Sequence, residues 1–290
     1  MNRKDFLKKG LLGTVIFASS GAAAKLIENN MDEIQKLDIQ GFNHLPVQKS
    51  QLMNNKVLHK ASTRGSADHG WLKSFHSFSF ANYYNPERMH FGVLRVLNDD
   101  FVSPGMGFGT HPHDNMEIIS IPLEGDLEHK DSMGNTVIIK NGDIQVMSAG
   151  TGIQHSEYNK NKDKPVKFLQ IWLYPNKRNV TPRYDQQSLR REDRLNKFQQ
   201  ILSPNQDDEG VWIHQDAWFY LAELESETQI TYNLNKSENG VYTFVLSGNL
   251  ILEDVELSHR DGLGIWNSEK LNYKSKTRTE ILVMEVPMNL

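Results

Sequence analysis

Residues 115–131 read NMEIISIPLEGDLEHKD, and the pattern within them decides the fold class. Ile118, Ile119, Ile121 and Leu123 form a short apolar run that stops at Gly125, and Leu127 opens another. Short apolar runs cut off by a turn residue read as strands, with the glycine supplying backbone that other residues rarely adopt. The same layout recurs later in the chain. PLEGDLEHKD (122–131) followed by NGDIQVMSAG (141–150) can be laid on VLSGNLILED (245–254) followed by RDGLGIWNSE (260–269). Gly125 then falls on Gly248, and Met147 falls near Trp266. The chain therefore reads as an internal duplication of one β-unit.

HFGVLRVLNDD (90–100) and PVKFLQIWLYP (165–175) complete the strands of the first half. AWFYLAELE (217–225), TQITYNLN (228–235) and TEILVMEVP (279–287) belong to the second, and DSMGNTV (131–137) reads as a hairpin connection. The convincing helical candidate is SLRREDRLNKFQQIL (188–202), read as part of a charged linker over 188–210. RNVTPRYDQQ (178–187) reads as a loop placed to cover a site mouth. Many short strands without intervening helices point to an all-β protein, best fitted by two tandem jelly-roll β-barrels. The layout expected is residues 53–187 for the first unit and 211–290 for the second.

Composition narrows the function. The chain has 290 residues, 38% of them hydrophobic, and a formal charge of −4, so no overall basic field suggests nucleic acid as a partner. It contains no cysteine, which excludes disulfides, thiolate catalysis and cysteine-based metal sites. Arg3, Lys4, Lys8 and Lys9 precede the apolar stretch LLGTVIFASSGAAA, an arrangement that resembles a secretory signal with cleavage before Lys25. Arg3-Lys4-Asp5-Phe6-Leu7-Lys8 also resembles a twin-arginine motif, with Lys4 in the second arginine position. Export to the periplasm is the expectation, with an uncleaved, cytoplasmic chain as the alternative. Residues 25–52 read as a spacer, and no later apolar run is long enough for a membrane helix.

The chemistry lies in the first half. His111 and His113 are two residues apart, so on a strand both imidazoles face one side. His155 and Glu157 repeat that spacing just after the glycines of SAGTG. Two such strands can deliver three imidazoles and a carboxylate to one point. That donor set suits Fe(II), Mn(II), Co(II), Ni(II), Cu(II) or Zn(II) with positions left open. One His-x-His pair alone is weak, because surface histidines on strands are common. The second half serves as a comparison: counted back from Gly248, Leu234 and Lys236 stand where His111 and His113 precede Gly125. Glu117 has an even spacing from His113, which leaves it as either a ligand or a supporting neighbour. His129 and Lys130 read as solvent-facing. His69, His76 and His90, and the aromatic residues Phe75, Phe78, Phe80, Tyr83 and Tyr84, read as packing. Met106, Met116 and Met147 read as core or as the lining of an apolar pocket.

The run Gly109-Thr-His111-Pro-His113, then Gly142-Asp, Met147, Ala149-Gly150-x-Gly152-Ile153 and His155-Ser-Glu157, resembles the pirin family of the cupin superfamily. Residues 64–100 resemble the opening of bacterial pirin-like quercetin 2,3-dioxygenases, and IHQDAWFYLAELE (213–225) resembles the start of their C-terminal cupin. The resemblance covers roughly residues 53–290. It implies a bicupin with one metal, usually iron, held by His111, His113, His155 and Glu157 in the first unit, and a second unit without metal ligands. It implies dioxygenation of a flavonol such as quercetin with release of carbon monoxide. Glu157 is then the candidate base that takes the substrate's hydroxyl proton. Two alternatives stay open: a non-enzymatic metal-binding regulator, as some pirins are, and a metal-dependent hydrolase or isomerase.

Overall fold

The computed structural model describes residues 51–53 and 55–290. The signal-like segment 1–24 and nearly all of the 25–52 spacer lie outside the described residues. The chain is all-β. Its strands are β1 (Gln51–Met53), β2 (Lys56–His59), β3 (Gly65–Asp68), β4 (Leu72–His76), β5 (Leu94–Val102), β6 (Gly107–His113), β7 (Glu117–Glu124), β8 (Leu127–Asp131), β9 (Thr136–Ile139), β10 (Asp143–Ser148), β11 (Ile153–Asn159), β12 (Val166–Leu173) and β13 (Arg183–Ser188). The second half adds β14 (Gln199–Ser203), β15 (Val211–Trp212), β16 (Trp218–Leu224), β17 (Gln229–Asn233), β18 (Asn239–Ser247), β19 (Leu250–Leu252), β20 (Val255–Leu257), β21 (Gly262–Trp266), β22 (Lys270–Ser275) and β23 (Thr279–Pro287).

The duplication read from Gly125 and Gly248 is present in the topology. Each half has a large sheet and a four-stranded one. The large sheets share the order β10-β7-β12-β5-β4 and β21-β18-β23-β16-β14, and the small sheets the order β6-β11-β8-β9 and β17-β22-β19-β20. Gly125 and Gly248 both have left-handed backbone, φ 75° and 82°.

The alternation of β12 shows how the layers form. Leu169, Ile171 and Leu173 point to one face and Val166, Phe168 and Trp172 to the other, as a period of two requires. The first face joins Phe219, Phe244, Leu282 and Met284 of the second half in one core, so the two large sheets pack back to back. The second face packs under the small sheet with Leu127 and Ile139. Each fully buried side chain of this size contributes about 1.5–3 kcal/mol.

Three features of the fold depart from the sequence expectations. Residues 188–202 are not helical apart from a 3-10 turn at Arg191–Arg194; β14 follows. Ile201 and Leu202 are needed in the core between the large sheets. The charges that suggested a solvated helix instead pair across strands, with Arg191 2.6 Å from both Glu223 and Glu280. Residues 183–188 are not loop but β13, paired along β10. The start of the first unit is also shared: β2 pairs with β21, in the sheet of the second half.

The turn before β11 depends on a glycine. Gly150 has φ 49°, and a Cβ there would lie 2.0 Å from the Val180 carbonyl oxygen. That backbone is held by Thr151, whose N–H donates to the same carbonyl at 2.9 Å. Gly150→Ala is expected to cost about 1–3 kcal/mol, seen as a lower urea midpoint with an unchanged slope.

Candidate metal centre

β6 and β11 are antiparallel neighbours, with His111 opposite His155 and His113 opposite Ile153. A register shift between His155 and Glu157 kinks β11, and Pro112 and Gln154 face out while the histidines face in. His111, His113 and His155 each offer a ring nitrogen within 4.8 Å of the others'. Their ring centroids are 4.4–5.0 Å apart. Glu157 joins His155 and His129 in a second group under the same limit, not all three of the first. The structure thus brings the three imidazoles together and sets Glu157 beside them. Among the described residues, both groups lie in the first half.

The protonation pattern fits a divalent cation. Burial holds His113 down to about 4, with the neighbouring His111 adding to it, and burial drives His155 lower still, so both are neutral at pH 7. Neutral imidazole is the ligating form. His111 Nδ1 donates to the Gly109 carbonyl at 2.8 Å, which leaves Nε2 as its ligating nitrogen. The Nε2 atoms of His113 and His155 are buried without a hydrogen-bond partner. Buried unpaired polar atoms are rare in folded proteins, and two in one three-histidine cluster mark a position meant for something else. The residues present fit a transition metal.

Glu157 is buried. It accepts from Ser120 Oγ at 3.0 Å and Gln170 Nε2 at 2.7 Å, and burial pushes its carboxyl up to about 7 despite those donors. A cavity of about 240 Å³ opens onto His111 and Glu157, walled by Phe80, Phe108 and Trp172. Phe80 is therefore a cavity residue rather than core. His69 and His76 also line it, whereas Met147 is core, Met116 packs against it and Met106 is 42% exposed. The sequence expectation for the aromatic cluster holds for Phe78, buried between the large sheets; Phe75 and Tyr84 are exposed. His129, read as solvent-facing, is buried. Nothing in its own sequence surroundings marks it; only the pairing of β8 with β11 does.

Leu234 and Lys236 follow β17 and are not the structural counterparts of the histidines. The inward positions of β17 and β22 are Ile230, Tyr232, Leu271 and Tyr273, all within or against the second-half core. The displacement arises because the β17–β18 connection is longer than that between β6 and β7.

Glu117 lies apart from both groups. Its carboxylate accepts from Ser148 Oγ at 2.6 Å. Burial raises it to about 7, with Ser148, Arg183 and the His214 backbone N–H acting the other way. Between its unfolded value of 4.5 and about 7, the native state keeps a proton that the unfolded chain has released. The stability this confers is complete below that window and is lost as pH rises through it, by on the order of 3 kcal/mol. Urea midpoints of metal-free protein from pH 5 to 8 are expected to fall less steeply for Glu117→Gln than for the parent. An unchanged slope would rule out this account.

Comparison with known proteins agrees with this geometry. Residues 57–173 match the family model described as Pirin, and residues 200–286 the one described as Quercetinase C-terminal cupin domain. The chain is 44% identical over 230 residues to a protein of Escherichia coli K12 named quercetin 2,3-dioxygenase, covering 79% of this chain and 98% of that one. It is 38% identical to a pirin-like protein of Caulobacter vibrioides, over 76% and 95% of the two chains. The crystal structure of the E. coli bacterial pirin YhhW in complex with nickel(II) superposes with a TM-score of 0.76 at 42% identity, over 80% of this chain and 99% of that one. Fold and histidine cluster together define a cupin-superfamily protein. Within that class, the chain belongs to the pirin family.

Proposed function

We propose that this chain is a metal-dependent dioxygenase that opens a flavonol such as quercetin by 2,3-dioxygenation, releasing carbon monoxide, with Fe(II) as its resident ion. Its two halves are read as tandem cupin jelly rolls, the second serving as a packing partner. The observation that carries the reading is the convergence of three imidazoles beside an aromatic-walled cavity that His111 shares with Glu157. The name of the E. coli relative and the nickel complex support it.

When bound, the metal supplies Lewis acidity toward the substrate's acidic hydroxyl. His111, His113 and His155 hold it, with Glu157 as the adjacent carboxylate. Phe80, Phe108 and Trp172 present flat apolar faces that orient a planar ring and exclude water. Trp172 Nε1, His76 Nδ1 and Asn98 Oδ1 are buried and unpartnered in residues of the same cavity wall, where substrate hydroxyls can meet them. Glu157, with a carboxyl pushed up to about 7, takes the proton of the hydroxyl at its carboxylate oxygen.

The test is incubation with quercetin, with and without oxygen, at confirmed metal content. Oxygen-dependent loss of flavonol absorbance is expected. No loss would favour the regulatory reading of the fold. Export through the signal-like segment is proposed on the pattern of residues 1–24 alone, and the N-terminal mass of protein from its native cell tests it.

A further inference from the structure

We propose that His129 and Asp131 are positioning residues that set the tautomer of His155 and so leave its Nε2 bare. The inference rests on reading the three histidines as metal ligands.

The chain of contacts starts at the β8–β9 turn. Asp131 Oδ1 accepts from the backbone N–H groups of Met133 at 2.9 Å and Asn135 at 3.1 Å. Its Oδ2 accepts from the Asn135 side-chain amide at 2.8 Å and lies 3.1 Å from His129 Nε2. A carboxylate surrounded by donors is an acceptor only, so the proton of neutral His129 sits on Nε2. Its Nδ1 is then a lone pair. That Nδ1 faces His155 Nδ1 at 3.5 Å, and two facing nitrogens share one proton, which must belong to His155. The remaining nitrogen of His155, Nε2, is buried and unpartnered, and with the proton on Nδ1 it is a lone pair. The His129 ring is fixed in place by Tyr184, with centroids 4.8 Å apart, and by its own complete burial. A carboxylate that caps a hairpin thus dictates, through one intervening ring, which nitrogen of a ligand is free. Such orienting partners are typically worth about 10–100-fold in metal affinity.

Three variants separate this from a packing role. Asp131→Asn keeps the volume and an oxygen for the turn N–H groups, but presents an N–H to His129. That reverses the tautomer of both rings and protonates His155 Nε2. His129→Leu fills the space and removes the acceptor. His129→Asn restores an acceptor oxygen near the Nδ1 position. Titration of metal-free protein with Ni(II) is expected to show a tenfold or greater loss of affinity for Asp131→Asn and His129→Leu, and less than about threefold for His129→Asn. Imidazole ¹⁵N spectra of the metal-free parent are expected to show His155 protonated at Nδ1 and His129 at Nε2, with both reversed in Asp131→Asn. Equal affinity across the set, or equal losses for His129→Asn and His129→Leu, would overturn the assignment. So would a parent His155 protonated at Nε2, whatever the titration shows. A parent that binds no Ni(II) yet has the expected tautomers would instead defeat the metal reading.

Discussion

Protein carrying His111→Ala and His155→Ala together is expected to purify with under a tenth of the metal found in the parent, which should hold close to one equivalent. Each substitution removes an imidazole whose free nitrogen faces the shared centre. His111 is fixed by the Gly109 carbonyl and His155 by its place opposite His111 across the β6–β11 pair. Only His113 of the three-histidine group remains, with Glu157 held by Ser120 and Gln170. One imidazole does not retain a divalent ion through purification, because its partners in chelation are gone. Thermal stability is expected to fall as well, because the variant loses both the bound ion and the partner that His155 Nδ1 gives buried His129. Metal analysis by mass spectrometry, with a thermal melt as the folding check, reads both. Full retention of metal by a folded double variant would defeat the metal assignment.

The second large effect is at Glu157. Glu157→Gln preserves volume and can keep the Ser120 contact, yet an amide cannot take a proton near neutral pH. The rate of quercetin turnover is expected to fall by roughly 10²–10⁴. Metal content is measured on the same sample, which separates a base from a ligand: turnover lost with metal retained assigns the proton to Glu157, while both lost assigns it chiefly to binding. Unchanged turnover would remove Glu157 from the reaction.

Much of the architecture was legible because it is written in local periodicity. The glycines at 125 and 248 punctuate matching strands, and the sheet orders repeat around them. His111, His113, His155 and Glu157 were found because a spacing of two on a strand aims side chains together. What remained hidden depends on pairings between distant segments. The charged run 188–202 looks helical by composition, but Glu223 and Glu280 on other strands claim Arg191. His129 reads as one more polar residue on β8 until β11 is laid against it. The counterparts of the histidines in the second half were misplaced because connection length between strands carries no periodic signal. Glu117 shares the even spacing that suggested a ligand, yet Ser148 and Arg183 draw it into a separate polar group.

The exchange of strands between the halves has a mechanical corollary. β2 precedes the first half in the chain but pairs with β21 in the second half's sheet, with β1 outside it at the edge. A cut in the connection near residue 205 would leave the halves clasped by this strand as well as by the common core. Expressed alone, a piece beginning at residue 211 would lack both β2 and β14, leaving β21 and β16 with bare hydrogen-bonding edges and the apolar back of a large sheet uncovered. Such edges invite other chains to add on. The two halves thus complete one another's sheet edges and core, which ties the half with the three-histidine group to the stability of the other.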